Sequence, residues 1–479
     1  MLKIFFKNSL MYTVGSVLTR GVAIFLLPIY TKYLSPAEYG IIDLLVVIAP
    51  LVNLTIALEI SQGIARYYQD AKNEKEKTEY TSSAFWFTVL VYLLFVSLSL
   101  AFSNILTFWL LEDISKKTIF LLAVFAIGTN GIFYFTLNQL KWQIQAKDSV
   151  ITSLINVIIV ASVAVYLLLV EGLKVESIFI GQIAGNIISS LVAILYARKS
   201  YGFTFCATKF KKMASYSMPL VLSGIGVFIA LYIDRIAIKD LLGLDELGIY
   251  GVAYRFAAVA FLVMAGFQKS LSPLVFKHYK EESTPSDISK IFDIFAIFAL
   301  FVVSGTILFS KELVVLFTTE VYYSSASLIT ILTMAVFFSN MYIFTPGISI
   351  AKKTKLISVI TIIAAITNAI LNYALIPVLG LSGAAYATLV SAVSAFSLYI
   401  FFSFKYYPIP YQVKPILLSF IIALIGSYGL TSIFYEIQLI SIIVKMIYLL
   451  LVPVCCSFFL LENKYLQKIK LKISEKIFK

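Results

Sequence analysis

Apolar runs of about twenty residues recur from one end of the chain to the other, separated by short charged or Pro/Gly-punctuated segments. At ~1.5 Å per residue, such a run is long enough to cross the roughly 30 Å hydrocarbon core of a bilayer as a helix. The pattern predicts helices over residues 10–30, 40–64, 81–102, 118–140, 150–170, 177–197, 214–238, 248–270, 289–309, 323–346, 356–376, 380–402, 413–433 and 438–460. Short alternating segments separated by turns, the mark of an outer-membrane barrel, do not occur. The expectation is an all-α polytopic membrane protein of about 14 transmembrane helices. An even number of spans puts both termini on one side.

Sliding the chain against itself by 208 residues exposes a repeat. Lys3 falls on Lys211, Ser9 on Ser217, and Glu38-Tyr39-Gly40 on Glu246-Leu247-Gly248. Leu122 to Phe125 resembles Met334 to Phe337 as a weaker echo. The unit is six helices, so both copies have the same orientation. Parallel repeats of this kind imply a pseudo-two-fold axis along the membrane normal and a substrate path between two lobes. The expected division is an N-terminal six-helix lobe over residues 1–200 and a second over 208–405. Two extra helices follow over 413–460, then a basic cytoplasmic tail over 461–479.

Composition agrees with that layout. Of 479 residues, 60% are hydrophobic and 13% charged, against roughly 45–50% and about 25% in soluble domains. The net charge of +13 does not point to nucleic acid, because its distribution follows the membrane. Of 38 lysines and arginines, 28 lie at the N-terminus, in every second loop or at the span ends that border it, and in the tail; 6 lie in the opposite loops and 4 deeper within spans. That bias places both termini in the cytoplasm. Cys206, Cys455, Cys456 and the single His278 make neither a disulfide framework nor a metal site. No P-loop motif is present, so the reading is a transporter and not an enzyme, driven without nucleotide hydrolysis.

Several segments carry a resemblance. Tyr33-Leu34-Ser35-Pro36-Ala37-Glu38-Tyr39-Gly40 and Gly63-Ile64-Ala65-Arg66-Tyr67-Tyr68 look like signatures of the polysaccharide transporter (O-antigen/capsule flippase) family. Tyr216 to Pro219, Ile233-Asp234-Arg235, Gly248-Ile249-Tyr250 and Gly380 to Thr388 are similar to the same family. It belongs to the multidrug/oligosaccharidyl-lipid/polysaccharide exporter (MOP) superfamily. The resemblance covers about residues 1–405. It implies a flippase in the bacterial cytoplasmic membrane that moves undecaprenyl-diphosphate-linked oligosaccharide to the outer leaflet by alternating access. The partners implied are that lipid, membrane lipids, and the polymerase and export machinery of the same pathway. A lipid II or multidrug exporter of the same superfamily is the alternative. A membrane glycosyltransferase or polymerase fits less well, since neither a D-x-D motif nor a large external loop is present.

Charge inside the bilayer is costly and marks candidate sites. Arg20 lies ten residues into the first span, about 15 Å deep, at the end of a polar stripe with Ser9, Thr13 and Ser16. Either Arg20, with Ser16, meets the substrate diphosphate, or it forms a structural pair with a carboxylate. Thr55, Glu59, Gln62 and Arg66 share one face if the second span is a continuous helix. Glu59 is then either a site of coupling to H+ or Na+, or a neighbour that Arg66 neutralises. Asp43, Asp234, Arg235 and Arg255 lie toward the outer end; they are either gate and substrate-binding charges or interfacial groups that pair without function. Lys445 either faces a lipid-diphosphate groove or snorkels outward. Asn130, Asn138, Asn156, Asn186, Asn340, Asn368 and Asn372 are read as interhelical hydrogen bonds. No cofactor and no metal is expected.

Overall fold

The structure is a computed structural model that describes residues 11, 15, 18–19, 21–22, 24–68, 70–434 and 438–460. No strand occurs among these residues. The helices are α1 (Leu27–Tyr33), α2 (Pro36–Thr55), α3 (Ile60–Tyr67), α4 (Glu74–Ala101), α5 (Ser103–Leu111), α6 (Lys117–Trp142), α7 (Ala146–Leu169), α8 (Val175–Tyr196), α9 (Ala207–Leu242), α10 (Leu244–Ala257), α11 (Val259–His278), α12 (Thr284–Phe317), α13 (Ala326–Asn340), α14 (Gly347–Ile350), α15 (Thr354–Leu379), α16 (Leu381–Tyr406), α17 (Val413–Ile433) and α18 (Leu439–Leu460). Among the described residues, twelve helical segments are long and apolar enough to cross a membrane. They coincide with twelve of the fourteen expected spans. The seventh expected span lies inside the 36-residue α9, and most of the first lies outside the described residues, as does the tail. The chain is a multi-pass, all-α membrane protein.

Three expected spans are interrupted. The second breaks over residues 56–59, between α2 and α3; the eighth breaks at Ala258, between α10 and α11. The tenth consists of a 3₁₀ turn, α13, a second 3₁₀ turn and α14. Interrupted helices in a membrane need other partners for the freed backbone groups, so they occur where the chain is buried in protein or lines a cavity. The loop after the third span differs too: residues 103–111 form the short helix α5.

Contacts divide the chain into two compact units, residues 1–251 and 252–479. In the first unit, α2 begins at a capping box. Ser35 Oγ accepts from Glu38 N at 3.3 Å, Glu38 Oε2 accepts from Ser35 N at 2.8 Å, and Pro36 opens the helix. The Ser-Pro-Ala-Glu segment therefore has a local structural cause. Asparagines join several of this unit's helices: Asn156 to Asn186 across α7 and α8 at 3.1 Å, and Asn53 to Asn130 across α2 and α6 at 3.4 Å. Asn138 and Asn340 instead bond within their own segments. The segment 198–206 between α8 and α9 is tied to α4, with Gly202 N donating to Ser82 Oγ, Cys206 N to Ser83 Oγ, and Trp86 Nε1 to Gly202 O.

The second unit is built on α12, 34 residues long. Phe292, Phe295, Phe337, Phe344 and Tyr411 pack ring against ring at its centre. The extra helices α17 and α18 lie against α12. There Lys445 is 2% exposed and its Nζ meets Glu312 Oε1 at 2.5 Å. Neither alternative for Lys445 holds: a carboxylate one helix away satisfies it in place, so the side chain has no need to reach the interface.

Candidate functional site

Two clusters in the first unit hold five of the charges that the sequence singled out, Asp43, Asp234 and Arg235 in one and Glu59 and Arg66 near the other. The first lies where α2 crosses the α9–α10 turn. Gly40 and Gly248 make the crossing close: a Cβ on Gly40 would fall 2.0 Å from Leu244 O, and one on Gly248 would fall 1.9 Å from Pro36 O. The contacts are reciprocal across the repeat, since each pair exchanges positions 208 residues apart. Ala37 N donates to Asp245 Oδ1 at 3.0 Å, and these two residues are themselves 208 positions apart. Glu38 also pairs with Lys174 at 2.9 Å, and Lys239 with Glu112 at 2.5 Å. These residues lie in or beside the turns that precede α2, α6, α8 and α10.

Behind this crossing, Asp43, Asp234 and Arg235 come together. Arg235 is 2% exposed; its Nη1 donates to Asp234 Oδ1 at 2.8 Å and to Oδ2 at 3.0 Å, and its Nε lies 3.4 Å from Asp43 Oδ2. Tyr250 Oη donates to Asp234 Oδ2 at 2.6 Å. The rings of Tyr232 and Tyr250 lie 5.4 and 5.7 Å from the guanidinium carbon. Charge-assisted bonds and ring faces thus take the place of water for this buried cation. Arg235, expected among the substrate-binding residues, has its guanidinium fork turned onto the two aspartates of its own unit. Arg255 is half-buried in the last turn of α10. Arg20 and Ser16 lie outside the described residues.

The second cluster is the break in the second span. The last helical bond of α2 runs from Ile56 N to Val52 O, so the carbonyls of Asn53, Leu54 and Thr55 lie beyond it. Leu58 and Glu59 follow with φ of 52° and 44°, a conformation costly for residues with a Cβ. Glu59 sits at the N-cap of α3 but does not cap it with its side chain. Its Oε2 instead accepts from Ser61 Oγ at 3.2 Å. The half-buried carboxylate faces a small recess lined by Asn53, Ser61, Thr88, Tyr92 and Tyr134 among others.

One glycine makes the wall of that recess. The hydroxyl end of the Tyr92 ring abuts Gly131, where a Cβ would come within 1.9 Å of it. That approach lets Tyr92 Oη donate to Asn53 Oδ1 across α4 and α2. Among the described residues, no lysine or arginine lies within ion-pair distance of Glu59. The expected neutralisation by Arg66 does not occur. The helix break turns Glu59 away from the stripe, while Arg66 and Gln62 are exposed and Arg66 pairs with Asp70. The sequence reading named neither the break nor Tyr92, Ser61 and Gly131. Residues 56–59 contain no Gly or Pro to signal an interruption.

A likeness to solved structures defines the class of fold. The chain resembles a lipid II flippase MurJ in an inward closed conformation, with a TM-score of 0.76 at 18% identity over 94% of this chain and 98% of that one. It also resembles an inward-facing multidrug resistance MATE family transporter of the MOP superfamily, with a TM-score of 0.66 at 12% identity over 81% and 93%. A MOP superfamily transporter from Pyrococcus furiosus gives 0.59 at 14% identity over 84% and 95%. At these identities the likeness concerns the fold. The profile of the polysaccharide biosynthesis protein family matches residues 5–278. The chain belongs to the polysaccharide biosynthesis protein family. A comparison with curated protein sequences returns no match.

Proposed function

We propose that this protein is a flippase that carries polyprenyl-diphosphate-linked oligosaccharide from the cytoplasmic to the outer leaflet, for a surface polysaccharide of the O-antigen or capsule type. The observation that carries the reading is membership of the polysaccharide biosynthesis protein family over more than half the chain, on a fold shared with a lipid II flippase. In this reading the protein sits in a bacterial cytoplasmic membrane with both termini inside, as the loop charges require. Arg20, with Ser16, grips the diphosphate by paired hydrogen bonds, and Arg255 supplies a second cation to the path. Asp43, Asp234 and Arg235 close the outer end and part when it opens.

The experiment is deletion of the gene, followed by identification of the lipid-linked intermediate held on the cytoplasmic leaflet. An oligosaccharide diphosphate lipid is the expected result, restored to flow by the wild-type gene and not by Arg20→Ala. Accumulation of lipid II instead would favour the second reading, a lipid II exporter, which the MurJ fold and its coverage support. Normal polymer export without the gene would overturn both.

A further inference from the structure

We infer that Asp293, in the first third of α12, is a proton-binding site: its carboxyl holds a proton while residues 407–411 lie packed on that face of the helix, and gives it up when this cover opens.

Three observations meet at this residue. Asp293 is 2% exposed, and its Oδ1 has no hydrogen-bond partner among the described residues. Nor does any lysine, arginine or histidine among them lie within ion-pair distance of it. Lys290, three residues earlier, pairs with Asp287, His278 on α11 with Glu281, and Lys445 on α18 with Glu312. Helix α13 carries no titratable side chain, and Lys414 on α17 is exposed. Second, the surroundings are rings: Phe292 meets Tyr411 at 4.9 Å, and Phe295 meets Phe344 at 4.8 Å. A carboxylate buried there without a cation is costly, and a proton removes its charge. Third, the cover is held by specific bonds. Ser289, Phe292 and Asp293 share one face of α12 by their i, i+3, i+4 spacing. Ser289 Oγ donates to Pro410 O at 2.8 Å, Tyr411 Oη donates to Phe344 O, and Ile409 is buried.

The ligand follows from the donor set. A metal ion needs several oxygens around it, and the rings beside Asp293 offer none. The Tyr411 hydroxyl, the titratable neighbour of the carboxyl, is already committed to Phe344 O and is neutral at physiological pH. A proton needs one oxygen only. Its binding is linked to the packing of residues 407–411, because lifting that segment admits water, and in water an aspartic acid ionises above about pH 3.9. Raising the pH therefore favours the open arrangement, and lowering it favours the closed one. Use of this proton to drive transport rests on the flippase reading; the site itself does not.

The test is infrared difference spectroscopy of the full chain in lipid nanodiscs across a series of pH steps, with no lipid-linked sugar present. The wild type should show at neutral pH a carbonyl band of a protonated carboxylic acid that Asp293→Asn lacks and Glu59→Gln keeps. Amide hydrogen exchange at Tyr407, Ile409 and Tyr411 reads the cover. The wild-type rate divided by that of Asp293→Asn should rise with pH by up to about tenfold per unit, one proton being released per opening. Tyr411→Phe removes the bond to Phe344 and leaves the carboxyl in place. It should move the loss of the band to lower pH, and it covers the case in which Asp293→Asn does not fold. Absence of the band in the wild type, its persistence in folded Asp293→Asn, an exchange ratio flat with pH, or a titration unmoved by Tyr411→Phe would each overturn the proposal. Because the assay contains no transport substrate, its failure leaves the flippase reading standing, and failure of that reading leaves the site.

Discussion

Asp43 and Glu59 belong to one expected span, and the structure treats them in opposite ways. Asp43, near the start of the span, faces a buried arginine held by a second aspartate, which in turn accepts from a tyrosine. Glu59, near its end, has a serine hydroxyl and a recess. The first carboxylate is compensated by protein and fixes the crossing of three helices. The second is left for something that is not protein. In a bilayer, where water cannot compensate a charge, this difference separates groups that hold the fold from groups that meet a ligand.

The contrast breaks most severely at Arg235. Arg235→Ala leaves two buried carboxylates without their cation and should cost about 3–5 kcal/mol, seen as loss of folded protein in detergent chromatography. Asp234→Asn in the same chain should recover part of it, and absence of any recovery would mean that the arginine acts by packing alone. Next comes the helix crossing. Gly40→Ala drives a Cβ into Leu244 O and should cost about 1–3 kcal/mol in thermal or denaturant unfolding. Gly248→Ala should cost a similar amount, because its contact is the reciprocal one.

Glu59→Gln sharpens the comparison from the other side. It removes a charge that no lysine or arginine among the described residues matches, so stability should change by less than about 1 kcal/mol while transport falls and its sodium dependence flattens. A loss of folded protein as large as that of Arg235→Ala would place Glu59 with the structural charges.

The smallest effect belongs to the exposed Glu112, which pairs with Lys239. The hydrogen bond and charge of Lys239 hold the Glu112 carboxyl below the usual range. Its contribution to stability is therefore present above the ordinary glutamate pKa of about 4.3 and is lost as pH falls through the lower folded value. The melting temperatures of wild type and Glu112→Gln should differ slightly at neutral pH and converge in acid.

Much of the fold is legible in the sequence, because the bilayer permits few solutions. Apolar length located twelve segments that the structure makes helical and long enough to span. The offset of 208 residues reappears as a hydrogen bond between Ala37 and Asp245. The candidate site is less legible. Asp43, Asp234 and Arg235 stand out as charges in apolar runs, yet their meeting depends on a glycine crossing between distant helices. Glu59 stands out for the same reason, but its surroundings do not. Leu58 and Glu59 have ordinary helical propensities, and their left-handed backbone is imposed by packing that involves Tyr92 and Gly131, 33 and 72 residues away from Glu59. Lys445 likewise reads as a snorkelling lysine until Glu312, 133 residues earlier, is beside it.

The reciprocal crossing also bears on ancestry. A contact in which Gly40 meets Leu244 while Gly248 meets Pro36 has the pattern of a symmetric homodimer, here written into one polypeptide. In such a dimer Asp43 would confront the residue at its own position in the partner copy. The residue 208 positions after Asp43 is Gly251, and a Cβ on it would lie 3.1 Å from the Asp43 carboxyl carbon. Two identical subunits would have brought two carboxylates face to face there, a like-charge clash in a dry place. Fusion into a single chain lets the two positions differ, with an acid on one side and a residue without a side chain on the other. The joined gene can thus hold one buried aspartate at the symmetry axis, where a dimer of equals would have to hold two or none.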